Sequence, residues 1–288
     1  MKIKYFLSFV FVLFTIGYAS AQDDLLNQLD AENSNKKEIE TAAFKGLQIG
    51  NMQSTKLAAQ GEWYMLVSHR FGDLTNGLDN FFGLDNALTK IGGIYGATKW
   101  LSLGASRHTY NKTYELSVKY KFANQVSHGF PVSIVGYNTM DINSALKTTL
   151  YPTLKFTNRL AYTSQLLMSR KFSESFSFEV AGIYVHKNLF EDSQELKDQY
   201  LVGAGGRYKL SKRLSVNLEY AAKVNRLASA PLYQDPITLG LDIETGGHVF
   251  QMVFSNCQPM NDVAVFTNAT GNWNKGSLYF GFNMYRVF

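Results

Sequence analysis

The chain has 288 residues, is 45% hydrophobic and 14% aromatic, and sets 28 basic side chains against 23 acidic ones for a formal charge of +5. So mild a balance gives no footing for a polyanionic partner, and nucleic acid is not expected. Cys257 is the sole cysteine, which excludes an intramolecular disulfide.

In chain order, the first feature is an export signal. Lys2 and Lys4 precede an apolar run from Tyr5 to Gly17, followed by Ala19-Ser20-Ala21. That order predicts a Sec-type signal peptide over 1–21, cleaved after Ala21. The run is shorter than the roughly 20 apolar residues a spanning helix needs. Residues 22–60 are expected to form a periplasmic N-terminal segment, partly flexible or helical. Over 22–45 it is polar and charged, with Asp23, Asp24, Asp30, Glu32, Lys36, Lys37, Glu38 and Glu40. Leu25, Leu26 and Leu29 could form one short helical stripe, with plain disorder as the alternative. Such a tail is a candidate docking point for a periplasmic partner.

From Trp63 onward the period is two. Tyr114, Leu116, Val118, Tyr120 and Phe122 alternate with Thr113, Glu115, Ser117, Lys119 and Lys121. Leu214, Val216, Leu218 and Tyr220 alternate with Ser215, Asn217, Glu219 and Ala221, and Ile237, Leu239, Leu241 and Ile243 with Thr238, Gly240, Asp242 and Glu244. One apolar and one polar face per strand is the pattern of a closed barrel. The expected fold is all-β: a transmembrane antiparallel up-and-down β-barrel over 61–288. Its strands fall near 63–71, 90–97, 100–107, 112–122, 131–140, 160–172, 175–186, 198–210, 213–224, 236–244, 247–255 and 276–288. An even count near twelve suits a single-chain bacterial barrel. The slightly negative mean hydropathy does not oppose this, because only one face of each strand meets lipid. Backbone pairing in lipid must be complete, so the last strand should close on the first near Trp63.

Tight polar corners at 97–102, 171–177 and 210–215 contrast with longer links at 72–89, 141–159, 187–197, 225–235 and 256–275. Short turns face the periplasm in such barrels and long loops face outward. Phe81-Phe82 in the first long loop is expected to fold back over the mouth or into the outer lipid boundary, with inward folding favoured. Gly203-Ala204-Gly205-Gly206 sits in a strand pattern without a following helix, so it marks a bend or close approach rather than a phosphate loop. Gly246-Gly247 reads as a tight turn.

The terminal strand carries Phe280, Phe282, Met284, Arg286 and Phe288 on one face. A terminal Phe288 resembles the assembly signal of outer-membrane barrels, read by the barrel-assembly machinery. Lys or Arg on the lipid face at mid-membrane is unfavourable by about 2–4 kcal/mol, so charged residues belong in the lumen. The lumen-facing candidates are Glu115, Lys119, Lys121, Glu179, Arg207, Glu219, Lys223, Asp242 and Arg286. Mixed charge suits either a narrow polar pore or a salt-bridged plug. No metal set is assigned. His69, His108 and His186 are the rim histidines that could hold one, though no close histidine spacing supports it. No catalytic set is assigned either: Ser164 and Ser169 lie on the strand before His186, with no third member in view. No cofactor is expected.

Several phrases are similar to an uncharacterised outer-membrane β-barrel family of Bacteroidetes-type bacteria, domain of unknown function 5777. They are His69-Arg70-Phe71-Gly72, Phe82-Gly83-Leu84-Asp85-Asn86-Ala87, Val185-His186-Lys187-Asn188, the stretch from Gly240 to Gln251, and the ending Gly281 to Phe288. The resemblance runs from about Leu25 to Phe288. It implies an outer-membrane barrel in contact with lipid, and no assigned activity. The expected function is passing or binding a small polar solute without catalysis. A plugged structural or partner-docking barrel is the alternative, and an outer-membrane hydrolase the second alternative.

Overall fold

The computed structural model describes residues 38–227, 233–245 and 248–288. The expected signal peptide, most of the polar tail and the Gly246-Gly247 turn lie outside the described residues. The chain divides into two compact units. In the smaller, residues 1–39 with 126–131, Ile39 and Val126 form an isolated antiparallel bridge and the Ser127 hydroxyl donates to the Glu38 carbonyl. The larger, residues 40–125 with 132–288, is the barrel.

Twelve strands lie among the described residues: β1 (Trp63–Asp73), β2 (Leu88–Thr98), β3 (Leu101–His108), β4 (Thr113–Ala123), β5 (Ser133–Asn143), β6 (Leu160–Lys171), β7 (Phe176–Lys187), β8 (Asp198–Lys209), β9 (Leu214–Lys223), β10 (Ile237–Thr245), β11 (His248–Ser255) and β12 (Tyr279–Val287). All twelve expected strands are present. Each pairs with its sequence neighbours, and β12 returns to β1 to close the ring. The seam is antiparallel, runs from Tyr64 opposite Val287 to Arg70 opposite Gly281, and resumes past a register shift with Asp73 opposite Tyr279. At its end Phe288 N–H donates to the Trp63 carbonyl at 2.8 Å, and Trp63 N–H returns the bond at 3.3 Å. Closure leaves no unpaired edge, which a strand in lipid requires.

The alternation decides what each face meets. Leu116, Leu166, Val180, Val202 and Leu218 point outward and are exposed, while Glu115, Gln165, Glu179 and Glu219 on the opposite face are buried. A water-soluble barrel would show the reverse. Aromatic rings pair on the outer face near both ends, as interfacial girdles do. Trp63 stacks on Tyr95 at 4.6 Å near one rim, and Tyr184 meets Tyr200 at 5.3 Å near the other. Phe81 and Phe82 do not fold inward. They are 62% and 54% exposed, each with a left-handed backbone, so the turn they form turns their rings to the surroundings.

The lumen is filled by two inserts. The first is residues 43–58, from the segment expected in the periplasm. They are mostly buried and contain no helix. They form a hairpin-like fold with a Gln48–Gln53 bridge and an Ile49 N–H to Met52 carbonyl bond of 2.8 Å. The second is the 256–278 connection, which turns back into the barrel around a short helix α1 (Asp262–Thr267), every residue of which is buried. Met52 and Leu57 of the first insert share an apolar core with Val263, Val265 and Phe266 of the second and with Val135, Leu167, Ile183, Val185 and Leu201 of the wall. Gly203 and Gly205 on β8 make this possible. A Cβ on either would stand 2.5 Å from Met52 Cε or Ile49 Cδ1. These glycines mark close approach, as expected, and what approaches is the plug.

Candidate functional site

The alternation drives charged side chains inward, where an isolated charge would be costly to bury. Their partners are largely backbone groups of the 43–58 plug. The Glu219 carboxylate accepts three consecutive N–H groups, from Gly50 at 2.9 Å, Asn51 at 2.7 Å and Met52 at 3.0 Å. Glu179 accepts the Thr55 N–H at 3.0 Å. Lys119 Nζ donates to the carbonyls of Leu47, Ser54 and Lys56. Arg70, fully buried, donates to Asn51 Oδ1 at 2.8 Å and to the carbonyls of His69 and Phe282. Gln251 and Asn283 donate to the carbonyls of Gln48, Ile49 and Gly50. A turn without regular secondary structure leaves its backbone groups unpaired, and here the wall pairs them. Charged hydrogen bonds of this kind are stronger than neutral ones.

A second cluster lies toward the long-loop end. Lys90 Nζ contacts Glu115 at 2.9 Å, and His108 lies 3.8 Å from the same carboxylate. The Glu115 carboxylate also accepts the Asp262 N–H at the start of α1. Asp262 in turn accepts from Gln165 at 2.9 Å on the wall and from Gln53 at 3.2 Å on the plug. One carboxylate therefore ties both inserts to the barrel. Burial, and then the neighbouring Glu115, push its carboxyl up to about 7. Asn261 Nδ2 donates to Asp141 Oδ2 at 2.6 Å. At the short-turn end Arg207 bonds Glu244 at 3.0 Å. There burial and the neighbouring Lys45 hold the Lys56 ammonium below its ordinary value.

Two cavities flank the plug. One, about 190 Å³, lies among the long-loop connections and is lined by Asn111, Thr113, Asp141, Arg159, Lys187 and Asn261, among others. The other, about 210 Å³, lies at the short-turn end by Lys45, Lys56, Tyr64, Glu244, His248 and Tyr285.

Of the lumen-facing candidates, Glu115, Lys119, Glu179, Arg207, Glu219 and Asp242 are buried. Asp242 accepts from Gln251 at 2.8 Å. Lys121 is half-buried on the same face of β4. Lys223 stands on the inward face of β9, with its ammonium 5.8 Å from the Tyr233 ring. Arg286 departs from the expectation. It is exposed, shares the outward face with Phe282 and Met284, and lies over the Phe288 ring at 4.7 Å. It stands two residues from the chain end, where a long cation can reach the interface.

The rim histidines do not converge. His69 and His186 face outward on β1 and β7, distant in the ring, while His108 faces inward. No group of three or more metal-ligating side chains occurs among the described residues. Ser164 and Ser169 fall on opposite faces of β6: Ser164 accepts from Asn138, and Ser169 contacts Thr55 in the lumen. His186 pairs with Asp198 at 2.7 Å and Asn188 at 2.9 Å, with no bond to either serine. Sequence reasoning missed Arg70, Lys90, Asp141 and Asp262. Arg70 shares the inward parity of Ser68, and that parity was the signal available. Asp262 lies in a connection whose return into the barrel has no strand pattern to mark it.

The family model described as a membrane bound beta barrel domain, domain of unknown function 5777, matches residues 44–288. No functionally curated protein matches in sequence. Among solved structures, a KdgM porin in complex with disordered oligogalacturonate is 9% identical, with TM-score 0.50, over 78% of this chain and 99% of that one. The NanC porin is 10% identical, with TM-score 0.48, over 78% and 98%. The likeness is one of fold. With the family model covering the whole barrel, this chain belongs to that membrane-bound β-barrel family.

Proposed function

We propose that this family member is an outer-membrane barrel that handles a small polar solute and is closed, in the described conformation, by its own N-terminal insert and its last long connection. The carrying observation is the arrangement of two cavities, one at each end and each lined in part by charged side chains, separated by a plug held through hydrogen bonds rather than through a continuous sheet. Hydrogen-bonded contacts can be exchanged for water one at a time, so a plug held this way can be displaced without opening the ring. The porin likeness, including a neighbour captured with an oligosaccharide, is consistent with a polar cargo. Export through residues 1–21, cleavage after Ala21 and recognition of Phe288 during assembly complete this reading.

A partner-docking role is compatible with it. Lys171 reaches Glu40 at 3.6 Å and the Thr41 hydroxyl at 2.6 Å at the short-turn end, which anchors the plug where the chain enters. A periplasmic protein that grips residues 22–45 would pull against that anchor. No catalytic step is assigned.

Planar-bilayer recording with liposome swelling tests the reading. The native protein should conduct little, and a Glu179→Gln/Glu219→Gln double variant should conduct and admit a small neutral sugar. A tight double variant that retains no solute would remove the proposal.

A further inference from the structure

The cavity at the long-loop end contains a feature that the plug does not use. Asp141 is 3% exposed, and its Oδ1 has no hydrogen-bond partner; Asn261 is 4% exposed, and its Oδ1 is likewise unpartnered. Both residues line the same cavity of about 190 Å³. Their remaining atoms are engaged with each other, since Asn261 Nδ2 donates to Asp141 Oδ2. The nearby cation, Lys90, is committed to Glu115 at 2.9 Å. The acidic neighbours Glu115 and Asp262 are engaged with each other and with Gln165, and bring Asp141 no donor. Buried acceptors without donors are rare, and each calls for an explanation. A water takes about 30 Å³ of liquid volume, so the space suits a small molecule better than one water.

The rest of the lining narrows the class. Leu160, Ala161, Val263 and Ala264 give an apolar side. Arg159 stands at the same cavity, its Nη1 bonded to the Asn143 carbonyl at 3.1 Å. Lys187 is already paired with Glu195 at 2.7 Å. Two oxygen acceptors, a short apolar wall and one guanidinium match a primary ammonium, a small hydrocarbon body and a carboxylate.

The geometry points to a binding site for a small zwitterion of the amino-acid class, its ammonium on Asp141 Oδ1 and Asn261 Oδ1 and its carboxylate toward Arg159. This deepens the solute-handling reading and rests on it. Ligands of this kind are held by charge-assisted hydrogen bonds at both ends.

Titration calorimetry on the full-length barrel in detergent, with L-leucine, isoamylamine, isovalerate and KCl as separate probes, tests it. Leucine should bind and isoamylamine should bind more weakly; isovalerate and potassium should neither bind nor compete. Asp141→Asn and Asn261→Leu should each weaken leucine by about tenfold or more. Arg159→Gln should weaken leucine and leave isoamylamine unchanged. Heat-modifiable gel migration reports whether each variant is folded, and either of the first two suffices if the other is not. No heat from leucine or isoamylamine with a folded barrel would overturn the site. So would unchanged affinity in the folded variants, or equal competition by potassium. Swelling of liposomes by a neutral sugar through the plug-weakened barrel, with no amine binding, would overturn this inference alone and leave the broader reading standing.

Discussion

Glu219 on β9 reaches across the lumen to Asn51 on the plug, its Oε1 accepting the Asn51 backbone N–H at 2.7 Å. The same carboxylate takes the N–H groups on either side, so one wall residue fixes the tip of the plug hairpin. Glu219→Gln replaces one acceptor oxygen with a donor facing donors. Leaving a buried N–H unpaired costs about 1–3 kcal/mol. The urea midpoint of the refolded barrel should fall accordingly; an unchanged midpoint would mean that Glu219 does not hold the plug.

Phe266 and Phe178 test which side of the wall is inside. Phe266 on α1 is fully buried in the shared core, whereas Phe178 on β7 is 38% exposed on the outward face. Phe266→Ala should destabilise by about 3–5 kcal/mol, as buried aromatic truncations do. Phe178→Leu, exchanging one lipid-compatible side chain for another, should change stability far less. Equal losses in the two variants, measured by urea titration, would contradict the assignment.

Strand positions and closure were legible in the sequence because the period-two pattern is dense and the polar parity is unbroken in β4 and interrupted only at Ala221 in β9 and Gly240 in β10. The plug was not. Residues 42–59 include Phe44, Leu47, Ile49, Met52 and Leu57 at no single period, and an irregular insert leaves none. A second trace was present. In β7 the run Val180-Ala181-Gly182-Ile183-Tyr184-Val185 is apolar on both faces, which a water-filled lumen would not ask for. Ala181, Ile183 and Val185 are buried against the inserts. For Arg286 the two sequence signals conflict: its charge points inward, and the parity it shares with Phe282 points outward, which is where it stands.

Cys257 gives a pH-dependent reporter for the last connection. It is fully buried beside α1, and burial pushes its thiol up to about 12. A free thiol titrates near 8.5. Its contribution to stability is therefore complete below about pH 8.5 and declines as pH rises toward the folded value. Maleimide or iodoacetamide should fail to label the folded protein between pH 7 and 10 and should label it fully after unfolding. Labelling at the rate of a free thiol at pH 9 would show that the 256–278 connection does not stay in the lumen.

Phe288 is 64% exposed, and its backbone closes the seam with Trp63 while its ring takes part in no core. Phe288→Ala should leave refolding in detergent nearly unchanged and lower the amount of assembled barrel in the outer membrane of cells. Equal amounts of assembled barrel in the two strains would remove the assembly role.

The plug hairpin occupies the lumen, and backbone hydrogen exchange reads that directly. The amides of Gly50, Asn51, Met52 and Thr55 are bonded to buried carboxylates, so a peptide spanning 46–58 should exchange as slowly as the barrel strands. Exchange of that peptide at the rate of an unstructured chain, with the strands still protected, would contradict it.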